Sequence, residues 1–194
     1  MTPKIVLLNG PPGCGKDTVA NILANQSPSA TVVKFATPLK TVAKHLYCHG
    51  DDKLFAQMDS PKEKDIDRDL FFGKSCRQVQ IDISEEYAKP MHGENVFGKI
   101  LASTIAFKME KGYDTFFVSD SGFRPEAIEL INQFGVECIT LIRLHRDGKT
   151  FEGDSRNYIS LDDHNVVAHD LHNPEGNVEE LVTQINNIIN KENN

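Results

Sequence analysis

The stretch KIVLLNGPPGCGKDT, residues 4–18, decides the fold of this chain. Its apolar run at 5–8 predicts a buried strand, and GPPGCGK at 10–16 satisfies the spacing G-x-x-x-x-G-K. A strand that leads through a glycine-rich turn into a helix points backbone N–H groups and the positive end of the helix dipole at one spot. The motif therefore predicts a phosphate-binding loop (P-loop). The alternative is an ordinary strand–turn–helix connection.

Each residue type in this loop has a physical reason. Glycine is needed where the backbone takes a positive φ or approaches an oxygen closely. The backbone of the loop is thus the candidate ATP-binding surface, and Lys16 is expected to reach the outer phosphates as a catalytic cation. The backbone candidates are Gly10, Gly13, Cys14 and Gly15.

The position after the lysine departs from the usual pattern. Ser or Thr normally stands there and ligates Mg²⁺, whereas this chain has Asp17 followed by Thr18. A carboxylate beside triphosphate oxygens is repelled unless a cation lies between them, so Asp17 is expected to act through Mg²⁺ or a metal-bound water. The alternative is that Asp17 only caps the start of the helix, which favours an acidic group. The sequence leaves both readings open.

Length and composition restrict the class of protein. The chain has 194 residues, of which 39% are hydrophobic, and this suits one globular domain spanning 1–194. No apolar run approaches the roughly 20 residues of a membrane span, and no signal sequence precedes the first strand, so we expect a cytoplasmic protein. The net charge of −7 argues against broad nucleic-acid binding. Four cysteines without a C-x-x-C pair predict reduced thiols.

Further apolar runs predict a parallel sheet. They occupy residues 31–35, 114–119, 136–142 and 165–169. Near-continuous hydrophobicity, rather than alternation, is typical of strands that are buried on both faces. Helical periodicity separates the runs, as at 127–134 and 178–189. The pattern predicts an α/β fold in which five strands, including the one before the P-loop, form a parallel sheet.

The interval between the second and third predicted strands is long. It spans about 80 residues, far more than a minimal crossover between parallel strands needs. We predict helices there at 38–47, 61–70, 75–89 and 94–111. Such an insertion, at 38–111, suits a P-loop kinase, which needs a second wall for its phosphate acceptor. A signalling GTPase is disfavoured because no N-K-x-D motif is present, and helicases or transport ATPases are normally longer.

Asp120 comes at the end of the third predicted strand. Ligands of parallel α/β sheets bind outside the carboxyl ends of the strands, so this carboxylate is expected beside the phosphates. There it can hold Mg²⁺ through water, or orient and deprotonate the attacking oxygen. The alternative is a turn-initiating Asp in the sequence Asp-Ser-Gly.

A basic, glycine-containing stretch follows the fourth predicted strand. Its cations are Arg143, Arg146, Lys149 and Arg156. Kinases of small phosphates carry a mobile lid at this place, which we predict at 144–157. Arginine suits the role because its planar fork pairs bidentately with phosphate oxygens. A solvated basic loop is the alternative.

Three segments resemble phage-type deoxynucleoside monophosphate kinases. They are GPPGCGKDT at 10–18, VKFATPLKTVAKHL at 33–46 and FFVSDSGFRPEAIELINQFGVECITLIRLHR at 116–146. The similarity is patchy between 48 and 95. Many members have an arginine two residues after the strand aspartate, whereas this chain has Gly122 there and its arginine at Arg124. The arginine-rich acceptor helix is reduced to SCRQ at 75–78.

The resemblance implies a three-layer α/β/α P-loop kinase fold with a five-stranded parallel sheet, a helical acceptor-binding insertion and a short lid. It also implies a reaction. The γ-phosphoryl group of ATP would pass to a (deoxy)nucleoside monophosphate, giving ADP and a diphosphate. Mg²⁺ would lie near Asp17, Thr18 and Asp120, and Arg146 and Arg156 would close over the transferring group. ATP and the monophosphate are the expected partners, with no nucleic acid or membrane. A homodimer is left open, and the location would be the host cytoplasm if a phage encodes the chain.

The resemblance also implies binding residues outside the P-loop. Arg143 is expected to stack on the donor base. The acceptor is expected to contact Lys40, Arg77, Gln78 and Arg124.

Three rival functions remain open. A kinase of another small phosphate, such as phosphomevalonate, can share the Gly-Lys-Asp ending of the loop. A dephospho-coenzyme A kinase fits less well, because of Asp17. A nucleotide-binding regulatory module would not need lid arginines around the γ-phosphate.

Overall fold

Five parallel strands form the sheet in the computed structural model, which describes residues 2–173 and 177–191. Their order across the sheet is β2-β3-β1-β4-β5, so the strand that leads into the P-loop lies at the centre. This arrangement confirms the predicted all-parallel sheet. The strands are β1 (Lys4–Asn9), β2 (Ala30–Val33), β3 (Thr115–Ser121), β4 (Ile139–His145) and β5 (Ala168–His172).

Helices connect the strands and cover the sheet on both sides, which completes the three-layer α/β/α architecture. The longer ones are α1 (Lys16–Ala24), α2 (Thr37–Tyr47), α3 (Asp52–Met58), α4 (Cys76–Asp82), α5 (Lys89–His92), α6 (Val96–Glu110), α7 (Arg124–Phe134) and α8 (Val178–Lys191). A π-helical segment, Ile83–Ala88, joins α4 to α5. Short 3₁₀ turns occur at Asp69–Phe71, Val136–Cys138 and Asp162–His164.

The central strand β1 is buried on both faces. Val6 and Leu8 pack with Leu23 of α1 and with residues of α8 in one hydrophobic cluster. Ile5 and Leu7, which point to the opposite face, are 0% exposed. Burial on both faces explains why the sequence of β1 is a continuous apolar run rather than an alternating one.

Two strands begin later than the sequence predicts. The fourth starts at residue 139 rather than 136, because Gly135, with φ of 92°, leads into a 3₁₀ turn. The fifth starts at 168 rather than 165, because Asn165, with φ of 60°, belongs to a turn closed by a bridge between Leu161 and Val166.

The chain divides into two compact units. Unit 1 comprises Met1–Phe35 and Gly98–Asn194, and contains the sheet. Within it, α6 packs tightly on α7, since a methyl group at Gly98 would lie 2.8 Å from the carbonyl oxygen of Glu126. Unit 2 comprises Ala36–Phe97 and is helical. Its core gathers Phe55, Phe71 and Val79 around two buried cysteines.

Unit 2 departs from the predicted helices in two places. The helix predicted at 61–70 is wrong, because the segment forms turns that end in the short 3₁₀ turn. Its apolar Ile66 is 46% exposed, so a helix here would have no apolar face to pack against the core. Helix α3 was missed. Asp51 caps it by accepting hydrogen bonds from the N–H groups of Lys53 and Leu54 at 2.8 and 3.0 Å.

The four cysteines are free and buried. Within the described ranges, no helix is both long and apolar enough to cross a bilayer.

Candidate functional site

The P-loop follows β1 at the centre of the sheet, where ligands of parallel α/β folds bind. Three of its glycines are required by geometry. Gly13 and Gly15 take φ of 76° and 102°, in the left-handed region. A methyl group at Gly10 would lie 2.5 Å from the carbonyl oxygen of Leu144 on the neighbouring strand. The loop therefore has the positive-φ glycines and close approach that the sequence predicts.

Lys16 lies inside the loop rather than in solvent. Its ammonium donates hydrogen bonds to the carbonyl oxygens of Gly10 and Pro11, at 2.5 and 2.9 Å, and only 8% of the residue is exposed. Burial lowers the pKa of Lys16 below its ordinary value. Gly15 is the N-cap of α1, and no side chain in the described residues caps this helix start. The first N–H groups of α1 are thus available to donate hydrogen bonds to an anion.

A buried asparagine holds the P-loop from the opposite end of the chain. The side-chain amide of Asn173, which directly follows β5, donates to the carbonyl oxygen of Cys14 at 2.7 Å. Its backbone N–H donates to the carbonyl oxygen of His145 at 2.7 Å. A methyl group at Gly15 would meet the same amide nitrogen at 2.5 Å. Asn173 therefore fixes the Cys14–Gly15 peptide, which precedes Lys16.

Asp17 is held by two neighbours from the ends of adjacent strands. Its Oδ1 accepts a hydrogen bond from the hydroxyl of Ser119 at 2.6 Å and pairs with the ammonium of Lys34 at 2.7 Å. Burial alone would raise the pKa of Asp17, but the hydrogen bonds from Lys34 and Ser119 outweigh it and lower the pKa. Asp17 is therefore not a helix cap, and its contacts connect α1 to β3 and to the residue that follows β2.

Asp120 is the second-last residue of β3 and belongs to the same group of charges. Its Oδ1 accepts a hydrogen bond from the backbone N–H of Phe35 at 2.9 Å. Arg156 lies within electrostatic range of both Asp120 and Asp17. Its guanidinium makes two hydrogen bonds to the buried carboxylate of Asp154, at 2.8 and 2.7 Å, which fix its direction. The structure thus brings together Lys16, Asp17, Asp120 and Arg156, as the sequence predicts.

The donor set fits Mg²⁺ only together with phosphate oxygens. Among the described residues, no group of three or more His, Cys, Asp and Glu side chains could hold a metal ion. Mg²⁺ typically takes one or two protein ligands and completes its shell with phosphates and water. Thr18 is exposed and its side chain makes no hydrogen bond in the described part of the chain, so its hydroxyl can serve as a ligand. Asp120 can contribute its carboxylate, and the hydrogen bond and ion pair that Asp17 makes with described residues both use Oδ1, which leaves Oδ2 for a metal or its water.

The glycine at position 122 has a structural reason. A methyl group there would lie 2.7 Å from Cβ, Cγ and Cδ of Arg156. Any side chain at 122 would displace the stem of that arginine. Gly122 thus leaves room for an arginine from a distant segment, next to Asp120.

The segment predicted as a lid begins after β4. Leu144 and His145 are part of this strand and pair with Leu171 and His172 of β5, so the predicted start at 144 is wrong. Residues 146–157 contain no helix or strand. Arg146 contacts the carbonyl oxygen of Gly13 at 3.5 Å, and the Cε of Lys149 lies 3.3 Å from the position of a methyl group at Gly13. The basic segment therefore lies against the P-loop.

The far end of this segment is fixed by Asn9. This residue is 0% exposed, and its amide nitrogen donates to the carbonyl oxygens of Ser121 and Asn157, both at 3.0 Å. Its amide oxygen accepts from the N–H of Ile159 at 2.9 Å. One side chain thus joins the ends of β1 and β3 to the last residue of this segment and to Ile159, just beyond it.

Two arginines that the sequence assigns to the nucleotides make other contacts. Arg143, the candidate for the donor base, donates to the carbonyl oxygen of Ile159 at 2.9 Å and lies 3.7 Å from the carboxylate of Asp170. Arg124, a candidate for the acceptor, pairs with Asp163 and donates to the carbonyl oxygen of Ser160 at 3.1 Å. Both nucleotide assignments stay predictions.

The remaining acceptor candidates belong to unit 2. Lys40 pairs with Asp59 at 2.5 Å and Arg77 with Asp65 at 2.5 Å. Gln78 donates to Asp82 at 2.8 Å, while its backbone N–H is bound by the N-cap Ser75. Their role in acceptor binding stays a prediction.

Sequence reasoning missed four residues of the site: Asn9, Lys34, Ser119 and Asn173. Only Asn9 carried a visible signal, since it is a polar residue at the end of an otherwise apolar strand. The other three act through contacts with residues far away in the chain.

A comparison with protein-family models finds no match for this chain, and a comparison with curated protein sequences finds none either. Among solved structures, a sugar kinase from Janibacter sp. HTCC2649 is 12% identical, with a TM-score of 0.49, over 94% of this chain and 92% of that one. Dephospho-CoA kinase from Campylobacter jejuni is 12% identical, with a TM-score of 0.42, over 96% of this chain and 97% of that one. At these values neither likeness bears on function.

Proposed function

We propose that this chain is a P-loop phosphotransferase that moves the γ-phosphoryl group of ATP to a nucleoside monophosphate, giving ADP and a nucleoside diphosphate. The observation that carries the proposal is the group of charges at the carboxyl ends of β1 and β3. There, Lys16, Asp120 and Arg156 lie within one P-loop site of unit 1. Phosphoryl transfer is catalysed mainly by such positioning and charge neutralisation.

Each group has a part in the proposed reaction. The loop backbone and the start of α1 bind the donor phosphates, and Lys16 exchanges its bonds to the loop carbonyls for phosphate oxygens. Thr18 and Asp120 would hold Mg²⁺, which would supply positive charge to neutralise the outer phosphates. Arg156 meets the charge that develops on the transferring group.

The basic segment favours a transferase over a nucleotide-binding module. Arg146 and Lys149 lie against Gly13 of the P-loop, and both are cations on a segment without regular structure. A segment of this kind can close over the phosphates and exclude water, which protects the phosphoryl group from hydrolysis. A protein that only binds the nucleotide has no need of such closure.

The proposal is tested by acceptor-dependent release of ADP. ATP and Mg²⁺ are incubated with the protein and a panel of ribo- and deoxyribonucleoside monophosphates, phosphomevalonate and dephospho-coenzyme A. We expect one or more nucleoside monophosphates to stimulate ADP release well above the rate without acceptor. Stimulation by phosphomevalonate alone identifies the rival kinase. ATP binding without stimulation by any acceptor contradicts a transferase.

Lys16→Ala should lower kcat more than tenfold, a loss of at least about 1.4 kcal/mol of transition-state stabilisation. Lys53→Ala is the matched control, because Lys53 is exposed and its side chain makes no ion pair in the described residues. A Lys16→Ala variant that keeps more than about a tenth of the wild-type kcat contradicts the catalytic role of the P-loop.

A further inference from the structure

One carboxylate binds the guanidinium of Arg156 along a whole edge. The Nε–H group donates to Oδ1 of Asp154 at 2.8 Å, and Nη2 donates to Oδ2 of the same residue at 2.7 Å. The side chain of Asp154 is only 5% exposed, so water hardly competes for these bonds. Two parallel hydrogen bonds between arginine and a carboxylate fix geometry as well as adding energy. The pair therefore sets both the position and the plane of the guanidinium.

The carboxylate that binds Arg156 is itself held by backbone groups of the same turn. The N–H group of Asp154 donates to the carbonyl oxygen of Phe151 at 2.9 Å, and Oδ1 of Asp154 also accepts the backbone N–H of Arg156 at 2.9 Å. A buried carboxylate is costly unless it is paired and hydrogen-bonded, and these contacts meet both conditions. Residues 151–156 thus form a turn that presents the arginine.

The stem of Arg156 is fixed at the end of β3. A methyl group at Gly122 would lie 2.7 Å from three carbons of this stem. The carbonyl oxygen of the next residue, Asn157, accepts a hydrogen bond at 3.0 Å from the side-chain amide of Asn9, which also binds the carbonyl oxygen of Ser121. The backbone on either side of Arg156 is therefore attached to the rest of unit 1.

The other edge of the guanidinium is left for a ligand. A guanidinium has five N–H donors, and Asp154 uses only those of Nε and one of Nη2. Nη1 makes no hydrogen bond with a described residue. The hydrogen bonds with Asp154 are the largest cause of a raised pKa of Arg156; burial opposes them, and the negative charges of Asp120 and Asp17 add to them. The arginine thus stays charged beside the carboxylates of the site.

The glycines of the basic segment 146–157 lie on the other side of this turn. Gly148 and Gly153 take φ of 69° and 73°, and both precede Asp154. A methyl group added at either would meet nothing within 4 Å, so the chain around them is not packed. The space for a closing movement therefore lies before Asp154, whereas Arg156 lies after it.

We propose that Asp154 is a positioning residue that sets Arg156 in place before any nucleotide binds. Arg156 then meets the transferring phosphoryl group from a fixed position, and only residues 146–153 close. Donors that are already oriented need no reorganisation during the reaction, which is where such groups lower the barrier most. The proposal rests on the proposed function for the group that Arg156 meets, but the preset pair itself does not. It differs from the expectation that Arg146 and Arg156 close together.

The test compares three variants with the wild type. Asp154→Asn keeps the shape and removes the charge, Arg156→Ala removes the arginine, and the double variant measures whether the two act together. Asp147→Asn is the matched control, because Asp147 belongs to the same segment and its side chain is 98% exposed. The Nε–H signals of the arginines are recorded by ¹H–¹⁵N NMR without nucleotide. Unfolding midpoints, kcat and KM are measured on the same proteins.

We expect the wild type without nucleotide to show an Arg156 Nε–H signal, assigned by its loss in Arg156→Ala, that disappears or moves in Asp154→Asn. Asp154→Asn should lower kcat at least about tenfold and change the KM of ATP less than about threefold. The double variant should have the kcat of Arg156→Ala, and Asp147→Asn should match the wild type. Additive losses, wild-type kcat in Asp154→Asn, or an Arg156 signal that appears only with nucleotide overturns the inference.

A second variant covers a loss of folding, since Asp154 is buried. Asp154→Glu keeps the charge but adds one methylene, so the guanidinium must move while the pair is kept. If Asp154→Asn is unfolded at the assay temperature, Asp154→Glu replaces it in the comparison. We expect this variant to keep the Nε–H signal and to lose kcat, and wild-type kcat in it contradicts a positioning role.

The two proposals fail in different ways. If an acceptor is phosphorylated and Asp154→Asn has the kcat of the wild type, the positioning role is wrong and the kinase function stands. If no acceptor is phosphorylated but the Arg156 signal without nucleotide depends on Asp154, the kinase function is wrong and the preset arginine stands.

Discussion

Replacement of Asn173 should disturb the P-loop from a distance of 159 residues along the chain. Asn173→Ala removes the hydrogen bond to the carbonyl oxygen of Cys14, and this bond is buried. A buried carbonyl left without its donor costs about 1–3 kcal/mol, and the small cavity adds to this. For a chain of this size, about 2 kcal/mol corresponds to a decrease in Tm of about 4–8 °C.

The donor affinity should fall together with the stability. Asn173 fixes the peptide between Cys14 and Gly15, and the phosphates must be bound by the N–H groups that follow it. We expect ATP to bind several-fold to about tenfold more weakly, the latter corresponding to about 1.4 kcal/mol. Thermal unfolding with and without ATP, together with calorimetric titration, measures both effects on the same samples.

Two further variants separate the hydrogen bond from packing. Asn173→Asp keeps the shape but points an oxygen at the carbonyl oxygen of Cys14, so it should be at least as harmful as alanine. Asn186→Ala is the matched control, since this asparagine donates to Gln26 at 3.0 Å on the exposed surface and its loss should cost at most about 0.5 kcal/mol. Wild-type stability and ATP affinity in Asn173→Asp would refute the reasoning.

Three other predictions concern the charges around the loop. Gly122→Ala should lower kcat because the added methyl group displaces the stem of Arg156. In an Arg156→Gly background, Gly122→Ala should have little further effect. Equal losses of kcat in both backgrounds, measured by steady-state kinetics, would contradict this contact. Lys34→Met should raise the pKa of Asp17, which carbon-detected NMR titration can measure. Because the folded pKa of Asp17 is lowered, its contribution to stability is present above about pH 4 and is lost as the pH falls through the folded pKa. The free energy of unfolding of Lys34→Met should therefore fall less steeply with acid than that of the wild type. Parallel curves of unfolding free energy against pH would show that the Lys34–Asp17 pair contributes nothing. Asp120→Asn should lower kcat far more than ATP affinity, because it keeps the shape but removes the charge, and unchanged turnover and Mg²⁺ dependence would leave Asp120 as a turn residue.

The helical unit shows where local sequence signals are insufficient. The segment 61–70 contains lysine, glutamate and arginine, which have good helix propensity, but propensity is a weak prior when the segment has no apolar face to bury. Helix α3 has only seven residues, and its cap at Asp51 was the sole clear signal. Short helices of this kind are stabilised by tertiary packing, here through Phe55 and Met58, which a periodicity search does not detect.

The sequence by itself determined the P-loop, the parallel sheet and the place of Asp120. These features depend on contiguous residues: glycines that permit positive φ, apolar runs that must be buried on both faces, and a carboxylate at the end of such a run. Their conformations are restricted locally, so the printed order of residues is enough to predict them.

The tertiary structure alone decided which side chains complete the site. Asn9 binds Ile159 across 150 residues, Asn173 holds Cys14, and the stem of Arg156 fills the space that Gly122 leaves. These contacts exist because the sheet order brings the ends of β1, β3, β4 and β5 to one edge, next to the segment between the last two strands. A hydrogen bond needs its atoms within about 3 Å of each other, and only the folded chain sets that distance between residues so far apart in sequence.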